Sequence, residues 1–308
     1  MSLSSWINLD DLMAQEKFPS RSLKIVVAYT PGGGEDTEAR GIAPYAQKYL
    51  STRVFIENMP GANGVIGYNK VYQSVPDGYT LLSFGIPAPI IQEAIQPSSR
   101  FQCSRFTHIA AWSQANNALF VHVENWRTFH EFLAAAKTRM LTAGISSRGS
   151  TSHLSLVLFL NSLNLKVNPI PFSGGAESLA SLAGKHVDFV SVGTTTAYPL
   201  VRAGKIRPLI VLSNNKDITY PDVPTLKDLN LSVPTASFVR GVVGPPDIPK
   251  ERAGVLELAF LKAAQDPKYL EWAKNVKLDI VPLSSEEYLK ATQDLTKEVE
   301  KVKDLFKE

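Results

Sequence analysis

The stretch Lys24-Ile-Val-Val-Ala-Tyr-Thr30-Pro-Gly-Gly-Gly34-Glu-Asp36 decides the fold. Its β-branched apolar start predicts a buried strand that ends at Pro31, and a helix-compatible run follows from about 35 to 50. A strand, a glycine turn and a helix start aim several backbone N–H groups and the positive end of the helix at one small volume. The glycines let a ligand approach the backbone without a Cβ in the way. This stretch therefore predicts half of an anion-binding site.

The glycine turn has two other interpretations. It could be a plain connection between a strand and a helix, or it could belong to a dinucleotide-dependent enzyme that uses Gly32 to Gly34 together with Glu57 at the end of the next strand. The dinucleotide fingerprint is incomplete, because Thr37 stands where glycine or alanine should allow close helix–strand packing. No Gly-Lys-Ser/Thr follows the glycines, which excludes a P-loop.

Length and composition favour a globular protein of two domains. The chain has 308 residues, more than one ordinary core needs, and a formal net charge of only +3. Basic residues are not collected between aromatics, so we expect no nucleic-acid partner. The single cysteine, Cys103, excludes an internal disulfide and a thiolate-rich metal site. The histidines show no metal-ligand spacing and no Gly-x-Ser-x-Gly elbow occurs, so we expect no metal, no cofactor and no catalytic residues.

The N-terminus gives no sign of an intact export signal. Residues 1–22 lack a basic start followed by an apolar core, and no apolar run in the chain reaches the roughly 18–20 residues that span a bilayer. We expect that an export signal has been removed. Residues 1–21 form an N-terminal extension in this interpretation, and Trp6, Leu9 and Met13 could lie on one face of a short docking helix.

The first three strands, near 24–27, 53–57 and 79–84, alternate with helices, which predicts a parallel sheet covered by helices. The opening pattern recurs with turns at 146–151 and 173–175, and helix starts lined with Ser, Thr and Gly offer hydroxyl and amide donors together. The similar units look like two related lobes that share a cleft.

The pattern predicts four local features. Pro44 predicts a kink or an early break in the first helix. Polar residues 113–117 are expected to separate two strands, and 193–196 to form a turn. Two helices, about 250–264 and 284–306, are expected to end the chain.

Several motifs in order along the chain resemble one family. They are Pro31-Gly-Gly-Gly34-x-Asp36, Glu57-Asn58-x-Pro60-Gly61-Ala-x-Gly64-x-Ile66-Gly67, Pro76-Asp-Gly-Tyr-Thr-Leu-Leu82, Gly149-Ser-Thr-Ser-His-Leu154, Pro171-Phe-Ser-Gly-Gly-Ala176, Gly184-Lys-x-Val-Asp188 and Tyr220-Pro-Asp-Val-Pro-Thr225. Together they resemble the substrate-binding proteins of tripartite tricarboxylate transporters, the TctC or Bug receptors. The resemblance runs from about residue 23 to the C-terminus.

The resemblance implies a type II periplasmic-binding-protein fold, which is an α/β fold of two lobes joined by two crossover strands. Lobe 1 would be discontinuous and contain 22–117 and 239–308, and lobe 2 would contain 118–238. The crossovers would fall near Asn117 and Phe238. The ligand would be held in the cleft between the lobes.

The resemblance also implies ligand contacts from both lobes. In lobe 1 they would come from Thr30, Gly32, Gly33, Gly34, Asp36, Ile86 and Pro87. In lobe 2 they would come from Gly149, Ser150, Thr151, Ser173, Gly174, Gly175, Thr194 and Thr195. The chain departs from the family's pattern at Ser147-Arg148 and at 193–196, so the resemblance does not name the carboxylate.

Several candidate residues have a structural interpretation beside the functional one. Arg148 could be a bidentate fork for a ligand carboxylate or a solvated surface arginine. Asp36 is most simply a capping residue near a helix start, and His153 is expected to pack or to support a cap. Phe172 and Phe238 could wall the pocket or pack in the core.

The expected function is that of a periplasmic, monomeric solute receptor. It would bind a small organic carboxylate by lobe closure and deliver it to a membrane transporter of the tripartite tricarboxylate type. A two-lobed sensor that binds the same carboxylates is a further alternative beside the dinucleotide-dependent enzyme.

Overall fold

The computed structural model describes residues 18–146 and 148–306, without the side chain of Leu305. The docking helix predicted around Trp6 lies outside these residues. The described end of the extension is attached to the first sheet: the Phe18 and Tyr79 rings meet edge to face at 5.1 Å, and the Ser20 amide donates to the Tyr79 hydroxyl at 2.9 Å.

Strands and helices alternate along most of the described chain. The strands are β1 (Leu23–Val27), β2 (Val54–Asn58), β3 (Thr80–Ile86), β4 (Thr107–Ala115), β5 (Asn117–His122), β6 (Leu141–Ile145), β7 (Val167–Pro171), β8 (Phe189–Gly193), β9 (Ile206–Val211), β10 (Phe238–Gly244) and β11 (Asp279–Leu283). The helices are α1 (Gly34–Leu50), α2 (Val65–Tyr72), α3 (Ala88–Ile95), α4 (Phe129–Thr138), α5 (Thr151–Ser162), α6 (Gly175–Ala183), α7 (Thr194–Arg202), α8 (Lys250–Ala264), α9 (Pro267–Asn275) and α10 (Ser285–Val302). None of these helices is both long enough and apolar enough to cross a bilayer.

The strands form two mixed sheets, which confirms the two-lobed α/β fold. The first has the order β11-β4-β10-β3-β1-β2, and the second has the order β7-β6-β8-β5-β9. In the first sheet Ile25 pairs in parallel with Ile56 and with Leu81. The parallel sheet expected for the first three strands is confirmed, because β1 runs parallel to β2 and to β3. Later strands make both sheets mixed, since β10 runs antiparallel to β3 and β4, and β5 runs antiparallel to β8 and β9.

The chain passes between the sheets at two adjoining places. It leaves the first sheet at Asn116, between β4 and β5, and returns through 212–237 to β10. The two passages touch, because Ala115 pairs with Phe238 and the Ser237 hydroxyl donates to Asn116 Oδ1 at 3.0 Å. The two passages therefore form one paired connection between the sheets.

Of the residues 113–117 that were expected to separate two strands, all but Asn116 belong to the strands. Ser113 is buried in β4 and donates its hydroxyl to Glu38. Asn117 is buried at the start of β5 and its Nδ2 donates to Ser155 at 2.7 Å. The Ser113 hydroxyl and Asn117 Nδ2 find partners inside the protein, which offsets part of the cost of burying these residues, whereas Asn117 Oδ1 has no partner among the described residues.

Each sheet carries an apolar cluster on both of its faces. In the first sheet α2, α3 and α10 cover one face, and α1, α8 and α9 cover the other. In the second sheet α4 and α5 cover one face, and α6 and α7 cover the other. Helix α5 also reaches the first lobe, where Leu154 and Leu158 pack in the cluster that contains Ile90 and Ile91.

Three local features differ from the sequence-based expectation: the early break at Pro44, the turn at 193–196 and the elements between the last two expected helices. Helix α1 runs through Pro44, which lies on its exposed face, where water can hydrate the carbonyl that loses its helical donor. Residues 194–196 are the first turn of α7 and not a separate turn. The two helices expected at the end of the chain are present as α8 and α10, but α9 and β11 between them were not predicted; Asp266 caps α9 and Pro267 is its first residue, a start signal that the sequence carries.

Candidate functional site

A cavity of about 390 Å³ lies between elements of the two sheets. The first-sheet side is formed by the loop after β1, the end of β3, the start of α3 and β10, and the second-sheet side by the turn before α5 and the start of α6. Its lining residues are Tyr29, Thr30, Gly33, Gly34, Glu35, Asn63, Gly85, Ala88, Gln92, Ser146, Arg148, Gly149, Ser150, Thr151, Ser152, Gly175, Phe238 and Arg240.

Four helices begin at this cavity. The first residues of α1, α3, α5 and α6 are Gly34, Ala88, Thr151 and Gly175, and all four line it. The first four N–H groups of a helix have no partner within the helix, and the aligned peptide dipoles make that end positive. Helix starts on the first-sheet side and on the second-sheet side of the cavity therefore both favour the binding of an anion there.

The glycine turn before α1 is held in shape by Asp36. Its carboxylate accepts hydrogen bonds from the Gly32 amide at 2.9 Å, from Arg40 Nε at 3.0 Å and from Asn58 Nδ2 at 2.8 Å. Burial alone would raise the pKa of Asp36, but these donors hold the pKa below its usual range. Gly32 has a φ of +82°, which favours glycine. Asp36 thus shapes the turn from behind while Gly33 and Gly34 face the cavity.

The turn before α5 is held by its own cap. The Ser150 hydroxyl accepts from the His153 amide at 3.3 Å, and His153 Nδ1 accepts from the Gly149 amide at 3.1 Å. Burial, aided by the charge of Arg148, lowers the pKa of His153 to about 4, so the ring stays neutral and remains an acceptor. His153 also packs edge to face on Phe306 at 5.0 Å. The structure confirms the packing and cap-supporting role predicted for this histidine.

Two buried polar groups at the cavity lack a hydrogen-bond partner among the described residues. They are Thr151 Oγ1 and Gln92 Oε1, and each residue is 2% exposed. A buried hydroxyl or amide without a partner costs about 1–3 kcal/mol. A polar ligand that reaches these atoms would remove that cost.

A charged group closes the lobe-1 side of the cavity. Arg240 on β10 forms an ion pair with Glu38 of α1, and the two side chains are 18% and 7% exposed. The guanidinium also lies 5.0 Å from the centre of the Phe238 ring. Glu35, one turn before Glu38, lies at the same cavity, and burial raises the pKa of its carboxyl to about 7 although Arg240 acts against that.

The structure brings part of the expected contact set together. The residues at the cavity are Thr30, Gly33, Gly34, Arg148, Gly149, Ser150, Thr151 and Gly175. Thr195 lines a smaller adjoining cavity of about 120 Å³, which shares Ser146, Ser152, Gly175, Phe238 and Arg240 with the first. Arg148 lines the cavity and is also exposed to solvent. Its position is therefore compatible with a ligand contact and with a solvated surface arginine. Phe238 walls the cavity, whereas Phe172 packs in the second lobe.

The remaining expected residues lie outside the cavity lining. They are Gly32, Asp36, Ile86, Pro87, Ser173, Gly174 and Thr194. Thr194 donates its hydroxyl to Asp217 at 3.0 Å, and the Ser173 amide donates to Glu177 at 3.0 Å, so these residues serve local structure. Ile86 lines a separate groove together with residues of β10 and α10, among them Val239 and Asp294.

Glu35, Gln92 and Arg240 were missed by the sequence reasoning. Glu35 directly follows the glycines, and Arg240 is a charged residue inside an otherwise apolar strand, so each carried a signal. Gln92 lies on α3, which was not predicted.

Comparison with known proteins identifies the family. Residues 38–308 match the tripartite tricarboxylate transporter family receptors, TctC. The chain belongs to this family. A TctC relative, the UPF0065 protein in the gbd 5′ region of Cupriavidus necator, is 31% identical over 289 residues, which cover 92% of this chain and 86% of that protein.

Solved structures share the TctC fold. A TctC solute-binding protein from Polaromonas, without ligand, has a TM-score of 0.82 and 27% identity, covering 92% of this chain and 98% of that one. MatC from Rhodopseudomonas palustris, with bound malate, has a TM-score of 0.78 and 24% identity, covering 93% of this chain and 100% of that one.

The structure of this TctC protein also bears on the dinucleotide site and on a metal site. Glu57, the acidic residue of the dinucleotide interpretation, pairs with Lys24 at 3.0 Å and is absent from the cavity lining. Within 18–146 and 148–306, His, Cys, Asp and Glu form no cluster of three that could hold a metal ion.

Proposed function

We propose that this protein is a solute-binding receptor, not an enzyme, that captures a small organic carboxylate in the cavity between its lobes. The observation that carries the proposal is the convergence of four helix starts from both sheets on one cavity. A carboxylate there meets amide and hydroxyl donors from opposite sides, and hydrogen bonds to a charged group are worth about 1.5–3 kcal/mol each. Membership of a receptor family supports the same function.

Capture is proposed to occur by closure of two lobes. Lobe 1 would contain 22–117 and 239–308, lobe 2 would contain 118–238, and the adjoining passages at Asn116 and Ser237 would act as the hinge. The ligand contacts both lobes only when they are close, so it shifts the equilibrium toward the closed state. The contacts proposed for this state include Gly33 and Gly34 on one side and Ser150 and Thr151 on the other.

The ligand class follows from the donors at the cavity. Backbone amides, Thr151 and Arg148 suit a carboxylate, and the cavity volume suits a small molecule. The malate bound by MatC, a protein of the same fold, supports this class. The site residues proposed as ligand contacts are those expected from the sequence that line the main or the adjoining cavity.

The remaining parts of the proposal concern the protein's setting. The receptor would work in the periplasm as a monomer and hand its ligand to the membrane subunits of a tripartite tricarboxylate transporter. It would need no cofactor and no nucleic acid. Membership of the TctC family supports the transporter partner.

A calorimetric titration with malate and a panel of other small carboxylates tests this function. We expect the titration to show one carboxylate bound per chain. In thermal unfolding, the same ligand at 100 times its dissociation constant should stabilise the protein by about 2.7 kcal/mol. NADH serves as the control ligand. A chain that binds NADH and no carboxylate would refute the receptor function and favour the dinucleotide enzyme.

A further inference from the structure

We propose that the receptor binds its carboxylate together with one proton, which Glu35 carries: the neutral Glu35 carboxyl donates a hydrogen bond to a ligand oxygen. This inference rests on the proposed function and adds a residue that determines ligand binding. Glu35 is the second residue of α1, beside the Gly33 and Gly34 amides that are expected to meet the ligand, and its side chain lines the same cavity.

The surroundings of Glu35 supply few charges. Two donors on β3 reach its carboxyl, the Ser83 hydroxyl at 3.3 Å from Oε1 and the Gly85 amide, and both are uncharged. Tyr29, Tyr68 and Tyr288 lie near it in the loop after β1, in α2 and in α10. Burial raises the pKa of all three phenols, so they are uncharged at neutral pH. These neighbours leave the charge of Glu35 to be balanced by other groups.

The charged neighbours do not balance a second anion. Arg240 interacts with Glu35 from β10, but it already forms an ion pair with Glu38, which is buried whereas Glu35 is half-buried. One guanidinium thus serves two carboxylates before the ligand arrives. Arg148, at the second-lobe side, is exposed, where water weakens its field.

A ligand carboxylate would be the third negative charge at this place. Like charges that share a site raise the pKa of one of the acids, and the expulsion of water on closure increases this effect. The Glu35 carboxyl already has a pKa of about 7 without ligand, so it can take up a proton from solvent at little cost. Protonation turns a repelling acceptor into a donor for the ligand oxygen.

This coupling fixes the direction of the pH dependence. The bound form carries the proton, so affinity is highest below the Glu35 pKa and decreases as the pH rises through about 7. If only the protonated form binds, the dissociation constant rises by about 30-fold between pH 6.0 and pH 8.5. Carboxylic acids with ordinary pKa values of about 4 stay ionised in this range, so the ligand itself contributes little.

The test is calorimetric titration of the full chain with malate at both pH values, in pairs of buffers with different ionisation enthalpies. We expect the wild type to lose at least tenfold in affinity and to take up nearly one proton per malate at the higher pH. Glu35→Gln, which keeps a donor but cannot titrate, should bind malate with less than a threefold change. Glu57→Gln, a surface carboxylate of the same lobe, should behave as the wild type.

The outcomes separate this inference from the proposed function. Malate binding with a pH-independent constant and no proton uptake would overturn the role of Glu35 and leave the receptor intact. Tight binding of aspartate at high pH, lost in Glu35→Gln, would also overturn it, because an ionised Glu35 would then accept from an ammonium group. Failure of every carboxylate to bind at any pH would refute the proposed function together with this inference.

Discussion

Replacement of Thr151 by valine should move stability and affinity in opposite directions. The hydroxyl of Thr151 is buried at the cavity and has no hydrogen-bond partner among the described residues. Thr151→Val removes the hydroxyl and nearly preserves the shape of the side chain. An unpaired buried group costs about 1–3 kcal/mol, so the ligand-free protein should gain stability, and we expect a gain of about 1 kcal/mol. The complex should lose a charge-assisted hydrogen bond of about 1.5–3 kcal/mol, which weakens binding roughly 10- to 150-fold.

Thr194 provides a matched control. Like Thr151 it is buried and is the first residue of a helix, but its hydroxyl donates to Asp217 at 3.0 Å and it does not line the cavity. Thr194→Val should therefore lose about 1–3 kcal/mol of stability and keep its affinity. This control also tests the sequence-based expectation that Thr194 contacts the ligand.

Urea unfolding measures the stability of each variant, and calorimetric titration with the best-binding carboxylate measures affinity. The opposite signs make the outcome easy to interpret. If Thr151→Val binds as tightly as the wild type, the turn before α5 does not hold the ligand. If Thr194→Val loses affinity and Thr151→Val does not, the ligand lies nearer α7 than proposed.

Two further predictions concern the buried charges. Arg240→Gln should cost about 3–5 kcal/mol in urea unfolding, because it leaves Glu38 charged and unpaired, and the double variant with Glu38→Gln should recover at least about 2 kcal/mol. Burial lowers the pKa of both His108 and His153 to about 4, so their contribution to stability is complete above pH 6.5 and is lost as the pH falls toward 4. Each should cost roughly 2–3 kcal/mol by pH 4.5, and His153→Gln should show a correspondingly shallower acid loss in thermal unfolding.

Each of these predictions has a contradicting result. Equal stabilities of Arg240→Gln and the double variant would show that the ion pair is not coupled. An acid transition of His153→Gln that superimposes on that of the wild type would show that the ring is not held neutral.

Local patterns predicted the local half of the site. The run of β-branched residues, the glycines and the following helix are neighbours in the chain, so the anion-binding turn at Gly33 and Gly34 could be derived from their order. The small-residue turn at Gly149 and Ser150 was found in the same way. Both turns line the cavity, although ligand contact at each of them stays a prediction.

The rest of the site depends on distant segments meeting. Arg240 reaches the cavity because β10 returns to pair with β3 and β4 after the whole second sheet has formed. Such pairing is a property of the topology, so the charged residue inside an apolar strand marked Arg240 as unusual without indicating which cavity it would reach. The lack of a partner for Thr151 likewise depends on what surrounds it in three dimensions. Asp36 was expected to contact the ligand because of its place next to the glycines. Its carboxylate instead accepts from three donors that lie away from the cavity lining, one of them Asn58 of β2.

A crystal structure of the protein grown with malate tests the central claim most directly. We expect the ligand between the starts of α1 and α5, with carboxylate oxygens about 2.7–3.2 Å from the amides at Gly33 or Gly34 and from Thr151 Oγ1. Malate seated elsewhere, for example in the groove beside Ile86 and Asp294, with the cavity between the lobes filled only by water, would contradict it.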